Sequence, residues 1–384
     1  MQEDSGASSL DENGTDDPYR VMVVDDSAVI RGLLTRSLEA DRSIKVVASV
    51  GNGEIALKSL ERYDIEVIIL DIEMPVMDGL TALPKLLAAQ PNVKVVMASA
   101  LTRKNAEVSL RALQAGAADY VTKPSSTSEL TSADNFQREL TEKVKALAAA
   151  TRSSPGARPS KPAAGVVKES PRSTGKLYGG REIVLRKQPI VNPRIIAIGS
   201  STGGPQALLE VLADMTSTVK LPILITQHMP ATFTTLLAEH IARATGVPAK
   251  EAVHGEMIEP GRIYMAPGDY HMVVESKGAG QQIVLNQGPQ ENFCRPAVDP
   301  MLRSMAPIYG AGLLTIILTG MGSDGKKGAE KVVEAGGAVI AQDEATSVVW
   351  GMPGAVATSG LCSAVLPLKE IGPSVRKMVM RSAA

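Results

Sequence analysis

Short apolar runs separated by amphipathic stretches recur in two blocks of this chain, and that alternation restricts the fold more than any other feature. In the first block the runs are Val21–Val24, Val46–Val50, Val67–Leu70, Val93–Met97 and Asp119–Val121. Helical patterns at Ala28–Glu39, Gly53–Leu60 and Lys104–Ala115 lie between them, and Ser128–Ala150 closes the block as a long helix. Short β runs alternating with helices mean a parallel sheet covered on both faces. The second block repeats the theme with Ile195–Ile198, Ile223–Thr226, Arg262–Ala266, Leu313–Leu318 and Val339–Gln342. Its helical patterns are Pro205–Met215, Ala231–Ala244 and Gly325–Ala335, and His271–Glu275 with Gln281–Leu285 reads as an inserted antiparallel hairpin.

Between the blocks the composition changes. The run Thr-Arg-Ser-Ser-Pro-Gly-Ala-Arg-Pro-Ser-Lys-Pro and the Ser, Pro, Gly and Lys that follow cannot bury a core, so residues 151–190 read as a flexible basic linker. The first 17 residues carry six acids and no base and read as a disordered acidic extension. The expected division is therefore 1–17 extension, 18–150 first domain, 151–190 linker and 191–384 second domain. At 384 residues each domain can bury its own core.

Net charge is −1, which gives no argument for nucleic acid as the main partner, and none is expected. The two cysteines, Cys294 and Cys362, fit neither a disulfide framework nor a zinc site, so a reducing compartment is expected. No run approaches the ~20 apolar residues that cross a bilayer, and the acidic N-terminus does not suit a signal peptide. A cytoplasmic protein with no membrane insertion is the expectation.

Chemistry gathers where the strands end. In the first block the first strand runs into Asp25-Asp26, the third into Asp71, the fourth into Ser99, and Lys123 follows the fifth. In an open α/β sheet the C-terminal strand edges form the binding crevice. Clustered carboxylates repel and call for a cation; oxygen ligands favour Mg²⁺. An Asp carboxylate can attack a phosphoryl donor to give an aspartyl phosphate, which Lys123 can neutralise and Ser99 can contact. Acids at strand ends are also ordinary turn residues, but Asp71-Ile-Glu-Met-Pro-Val-Met-Asp-Gly79 and Thr122-Lys123-Pro124 speak against that reading for the set.

With Val-Val-Asp-Asp-Ser, Leu-Asp-Ile-Glu-Met-Pro-Val-Met-Asp-Gly, Met-Ala-Ser-Ala and Val-Thr-Lys-Pro in this order, residues 20–145 resemble a response-regulator receiver domain. The resemblance implies a flavodoxin-like fold with a five-stranded parallel sheet. It also implies Asp71 as phosphoacceptor, and Mg²⁺ held by Asp26, Asp71 and the Glu73 main-chain carbonyl. Asp25 becomes an outer-shell acid, Ser99 the switch hydroxyl and Lys123 the companion lysine.

In the second block Gly199-Ser200-Ser201-Thr202-Gly203-Gly204 follows an apolar strand and precedes a helix. Gly-x-Ser-x-Gly in that setting can be a nucleophile elbow with Ser201 at a helix N-terminus, where backbone N–H groups can stabilise an oxyanion. The same turn could cradle a phosphate, but Ser201 breaks Gly-x-Gly-x-x-Gly and no Lys follows Gly204. A serine nucleophile needs a base. Of four histidines, His228 ends a strand run, whereas His240, His254 and His271 read as structural. Asp324 follows the strand Leu-Leu-Thr-Ile-Ile-Leu and suits the third role, orienting the imidazole.

The chain order Ser, His, Asp differs from that of α/β-hydrolases. Residues 194–380 resemble the catalytic domain of the chemotaxis protein-glutamate methylesterase family. The resemblance rests on Ala-Ile-Gly-Ser-Ser-Thr-Gly-Gly-Pro, Gln-His-Met-Pro, Ala-Pro-Gly-Asp-Tyr-His-Met, Cys-Arg-Pro-Ala-Val-Asp and Leu-Thr-Gly-Met-Gly-Ser-Asp-Gly. It implies a doubly wound, mainly parallel hydrolytic domain with the triad Ser201, His228 and Asp324, and with Met321 and Thr202 at the oxyanion. Ser200 and Ser323 stand where the family leads one to expect Ala and Asn, and Ala297 where it leads one to expect Ser. The implied activity is hydrolysis of glutamate γ-methyl esters on methyl-accepting chemoreceptors, with deamidation of receptor glutamines. The implied phosphodonor is a chemotaxis histidine kinase, and the esterase half needs no cofactor. Two rivals are a receiver joined to a nucleotide- or DNA-binding output and a hydrolase that ignores its receiver; the first lacks an evident basic recognition helix.

Overall fold

A computed structural model of the chain describes residues 17–100, 102–123, 130–153, 183–216 and 218–380. Strands β1 (Tyr19–Val24), β2 (Ile44–Val50), β3 (Val67–Asp71), β4 (Lys94–Ser99) and β5 (Asp119–Thr122) form a sheet in the order β2-β1-β3-β4-β5. Every pair is parallel. Strand β3 is buried throughout, as a continuous apolar run between two helical layers must be. The helices begin on side chains that accept a backbone N–H: Ser27 from Ile30, Asn52 from Ile55, Asp78 from Thr81 and Thr102 from Asn105.

The second sheet holds β6 (Ile195–Ser200), β7 (Ile223–Gln227), β8 (Ala249–Glu251), β9 (Ile263–Met265), β12 (Leu313–Ile317), β13 (Ala338–Gln342) and β14 (Ala364–Leu366). Their order is β14-β13-β12-β6-β7-β9-β8, again wholly parallel. Strands β10 (His271–Lys277) and β11 (Gly280–Asn286) form the separate antiparallel hairpin. The two parallel sheets and the hairpin agree with the fold class expected from the sequence.

Two strands and several helices lie outside the runs read from the sequence. Strands β8 and β14 have three residues each and are only partly buried, too short for any alternation to stand out. The helix Val298–Tyr309 contains Pro300 and Pro307; Pro300 falls in the first turn, where no N–H is needed. The long helix after β5 continues to Ser153 rather than stopping at 150. Of the acidic extension only Asp17 is described: its carbonyl accepts from Arg152 at 3.0 Å and its carboxylate pairs with Arg20 at 3.3 Å. Most of the linker lies outside the described residues, but 183–190 are described, and Arg186 N–H donates to the Cys362 carbonyl at 2.8 Å.

The two sheets are joined by packing. One buried apolar cluster contains Leu113 and Tyr120 from the first block and Leu208 and Phe233 from the second. The Tyr120 and Phe233 rings stack at 4.3 Å. Gln206 donates its side-chain amide to the Ala117 carbonyl at 3.0 Å.

Candidate functional site

In each sheet the reactive side chains sit where the strand order reverses. Sequence neighbours part there and leave a crevice at the C-terminal edge. In the first sheet that point lies between β1 and β3. Asp25, Asp26 and Asp71 each place a carboxylate oxygen within 4.8 Å of the others. Lys123 Nζ lies 2.5 Å from Asp25 Oδ2 and 2.6 Å from Asp71 Oδ1. Burial raises the Asp71 carboxyl above its ordinary range, Lys123 opposes that, and Asp25 adds to it. An all-oxygen cluster of this charge suits a hard divalent cation, so the residues fit the metal that a receiver domain implies.

Local sequence sets this geometry. The Asp78 carboxylate caps the helix Gly79–Ala89. A Cβ on Gly79 would stand 2.0 Å from the Asp71 carbonyl oxygen, so only glycine lets the loop return beneath Asp71. Ser99 is buried, with its hydroxyl 3.2 Å from that of Ser109. The Glu73 side chain is exposed and paired with Lys104 at 3.0 Å.

In the second sheet the reversal lies between β6 and β12, with β7 on the other side of β6. Ser201, His228 and Asp324 follow these three strands. His228 Nε2 meets Asp324 Oδ2 at 2.7 Å, so Nδ1 is the ring nitrogen that does not face the carboxylate. The backbones around Ser201 and His228 are stapled together. His228 N–H donates to the Ser200 carbonyl at 3.1 Å. The Gln227 amide donates to the carbonyls of Ser201 at 2.9 Å and His228 at 3.2 Å. Ser201 N–H is bound by the Thr319 carbonyl at 3.0 Å.

Asp324 is a bound anion. Its Oδ2 accepts from Val298 N–H at 2.6 Å, and its Oδ1 from Asp299 N–H at 3.0 Å and Gly325 N–H at 2.9 Å. Val298 and Asp299 open a helix, whose N-terminal N–H groups favour a negative charge. Burial alone would raise this carboxyl, but His228 and those N–H groups hold it below the usual carboxylate value. Burial by itself would lower His228; the Cys294 sulfur and the Asp324 carboxylate outweigh it and raise the imidazole above its ordinary 6.5.

The side chains of the two residues expected to serve the oxyanion through their main chain are engaged elsewhere. Thr202 is buried, and its hydroxyl donates to Asp119 Oδ2 of the first sheet at 2.5 Å. Met321 is partly buried and packs against the core of the first domain. Ser200 donates to Gln227 Oε1 at 2.7 Å, Ser323 is exposed, and Ala297 donates its N–H to His271 Nδ1 at 3.2 Å. The other histidines bond elsewhere: His271 Nε2 to the Pro289 carbonyl, His254 to Leu285, and His240 to Gln114. Sequence reasoning missed Gln227 and Asn292, whose Nδ2 lies 2.9 Å from Asp324 Oδ1. Gln227 stood beside His228 within Gln-His-Met-Pro, but nothing in a linear pattern shows that its amide faces back to Ser201.

Among the described residues no helix is long and apolar enough to cross a membrane. Residues 196–375 match the family model described as CheB methylesterase, and residues 21–134 match the response regulator receiver domain model. The chain is 61% identical over 383 residues to the protein-glutamate methylesterase/protein-glutamine glutaminase of group 2 operon of Rhodospirillum centenum, covering 97% of each. It is 59% identical over 381 residues to the protein-glutamate methylesterase/protein-glutamine glutaminase of Azospirillum brasilense, covering 96% of this chain and 94% of that one. Among solved structures, the CheB methylesterase catalytic domain of Thermotoga maritima is 41% identical, with a TM-score of 0.48, over 49% of this chain and all of that one.

Proposed function

The chain belongs to the protein-glutamate methylesterase/protein-glutamine glutaminase family, and on that premise we propose that Ser201, His228 and Asp324 carry the hydrolysis. The protein is a phosphorylation-regulated chemotaxis hydrolase with a receiver domain and a methylesterase domain. In our reading the receiver spans 18–150 and the hydrolytic domain 191–384. The observation that carries the triad is the His228–Asp324 pair at 2.7 Å, with its carboxylate fixed by a helix N-terminus.

Ser201 Oγ attacks the γ-carbonyl carbon of a glutamyl methyl ester on a methyl-accepting receptor while His228 Nδ1 takes the hydroxyl proton. Asp324 stabilises the imidazolium that results. The C–O bond to methoxide breaks, and His228 returns the proton so that methanol leaves. Water, deprotonated in turn by His228, cleaves the acyl-serine and releases glutamate. On a glutamine side chain the same steps release ammonia. Backbone N–H groups near Thr202 and Met321 receive the oxyanion in this reading.

In the receiver, Asp71 takes a phosphoryl group from a chemotaxis histidine kinase. Asp26, Asp71 and the Glu73 main-chain carbonyl would hold Mg²⁺, with Asp25 as a further acid beside it, and the ion would supply charge neutralisation there. Lys123 pairs with the added phosphoryl oxygens and Ser99 donates to them. The added charge, close to two negative units, disturbs the contact between Asp119 and Thr202 beside the nucleophile, which links the receiver to the triad. The setting is the cytoplasm.

Methanol release from methylated receptor, followed with and without acetyl phosphate and Mg²⁺, tests this reading. Ser201→Ala is expected to abolish release, and His228→Gln to cost ~10²-fold or more. Asp71→Asn is expected to keep basal release and lose the response to acetyl phosphate. Near wild-type release by Ser201→Ala would overturn the triad.

A further inference from the structure

Asp324 has a buried neighbour of the same charge. Asp299, the second residue of the helix Val298–Tyr309, is 1% exposed, as Asp324 is. Burial first, and then the Asp324 carboxylate, push the Asp299 carboxyl up to about 6. The side-chain amide of Asn292 stands between the two. Its Nδ2 lies 2.9 Å from Asp324 Oδ1 and 3.2 Å from Asp299 Oδ2, so its two hydrogens serve one carboxyl each.

The backbone that delivers this amide is unusual. Asn292 and Phe293 have φ of +51° and +62°. They form a tight turn in which Glu291 N–H donates to the Cys294 carbonyl at 3.1 Å and Cys294 N–H to that of Glu291 at 2.9 Å. Positive φ at both central positions ordinarily calls for Asn-Gly, and here Phe occupies the glycine place. Glu291 also pairs with Arg303, on the helix that carries Asp299, at 2.8 Å. The turn is thus pinned to that helix at its base and through its amide.

We propose that Asn292 is a positioning residue for the hydrolytic reaction, its amide holding Asp324 against His228 and separating that carboxylate from Asp299. This rests on the triad reading above. Backbone N–H groups hold each carboxyl separately, those of Val298, Asp299 and Gly325 on Asp324 and that of Gly328 on Asp299 Oδ1 at 2.6 Å, and Asn292 is the donor that serves both. Without it two buried carboxyls face each other with no shared donor between them. They then share a proton, and Asp324 supports the His228 imidazolium less. The substrate does not enter this contact, so the loss falls on turnover.

The test uses the full chain treated with acetyl phosphate and Mg²⁺, with methanol release as the readout. Asn292→Gly suits the positive φ and removes only the amide; kcat is expected to fall about tenfold or more, with KM within about twofold. Asn292→Asp keeps the size and tolerates the backbone, yet brings a third acid into the cluster, and is expected to be worse than Asn292→Gly. A role confined to the shape of the turn would give the reverse, with both variants close to wild type. An Asn292→Gly enzyme with kcat within twofold of wild type overturns the proposal, as does an active, folded Asn292→Asp. Ser201→Ala is run beside them. If it is dead while the Asn292 variants are normal, the positioning role alone fails; if it is active, the triad reading fails and this inference falls with it.

Discussion

His228 shows how much a single residue depends on its surroundings. In sequence it is one of four histidines; in the fold its Nε2 faces a buried carboxylate held by three backbone N–H groups. The paired charge raises its pKa, and a base so raised is neutral, hence able to accept a proton, only at higher pH. The acid limb of kcat/KM for methanol release is therefore expected to have its midpoint above 6.5. Asp324→Asn removes one of the two groups, with the Cys294 sulfur, that raise the imidazole, so the midpoint should move down as the rate falls by roughly 10²-fold or more. A midpoint at or below 6.5 in the wild type would show that Asp324 does not act on His228 in this way.

At the scale of elements, the turn into the helix Gly204–Met215 decides where Ser201 stands. Gly203 has φ +76°, and a Cβ there would meet Val348 Cγ2 at 2.6 Å. Gly203→Ala thus faces a left-handed backbone, costing about 1–2 kcal/mol, and a packing conflict besides. Its urea-unfolding transition is expected at lower denaturant than wild type, with reduced methanol release. Unchanged unfolding would mean that the turn relaxes at no cost. Most elements of both sheets were legible, because buried parallel strands read as apolar runs and their helices as amphipathic periods. The helix Val298–Tyr309 was not, since Pro300 and Pro307 look like breakers in a linear reading. That helix anchors Asp324 through the Val298 and Asp299 N–H groups, so the least readable element holds this carboxylate.

At the scale of the whole molecule, the receiver lies against the hydrolytic domain beside Ser201. The contact joins polar and apolar parts: Thr202 to Asp119 at 2.5 Å, Tyr120 on Phe233, and the Arg138 guanidinium 4.1 Å from the Phe293 ring centre. Lys143 Nζ lies 3.3 Å from Asp119 Oδ2 at the junction. An aromatic pair is worth about 0.5–1.5 kcal/mol beyond the area it buries. Tyr120→Ala should therefore shift the balance between docked and released domains by about twofold to tenfold. Methanol release without a phosphodonor is expected to rise by that factor, and the stimulation by acetyl phosphate to shrink. Unchanged basal release, in a variant that still takes phosphate on Asp71, would mean that this contact does not restrain the enzyme.

Periodicity and motif order in the sequence determined two α/β units and the residues at their strand ends. Those features are local, and a strand's C-terminal edge is where a parallel sheet must place its reactive groups. The pairing of those residues and their supports came only from the tertiary structure. Asp324 gains its anion site from a helix that begins 26 residues earlier in the chain, at Val298. Asn292 reaches it from 32 residues away, and Asp119 reaches Thr202 across 83. Hydrogen bonds over such separations depend on how layers pack, and packing leaves no period in the sequence to read.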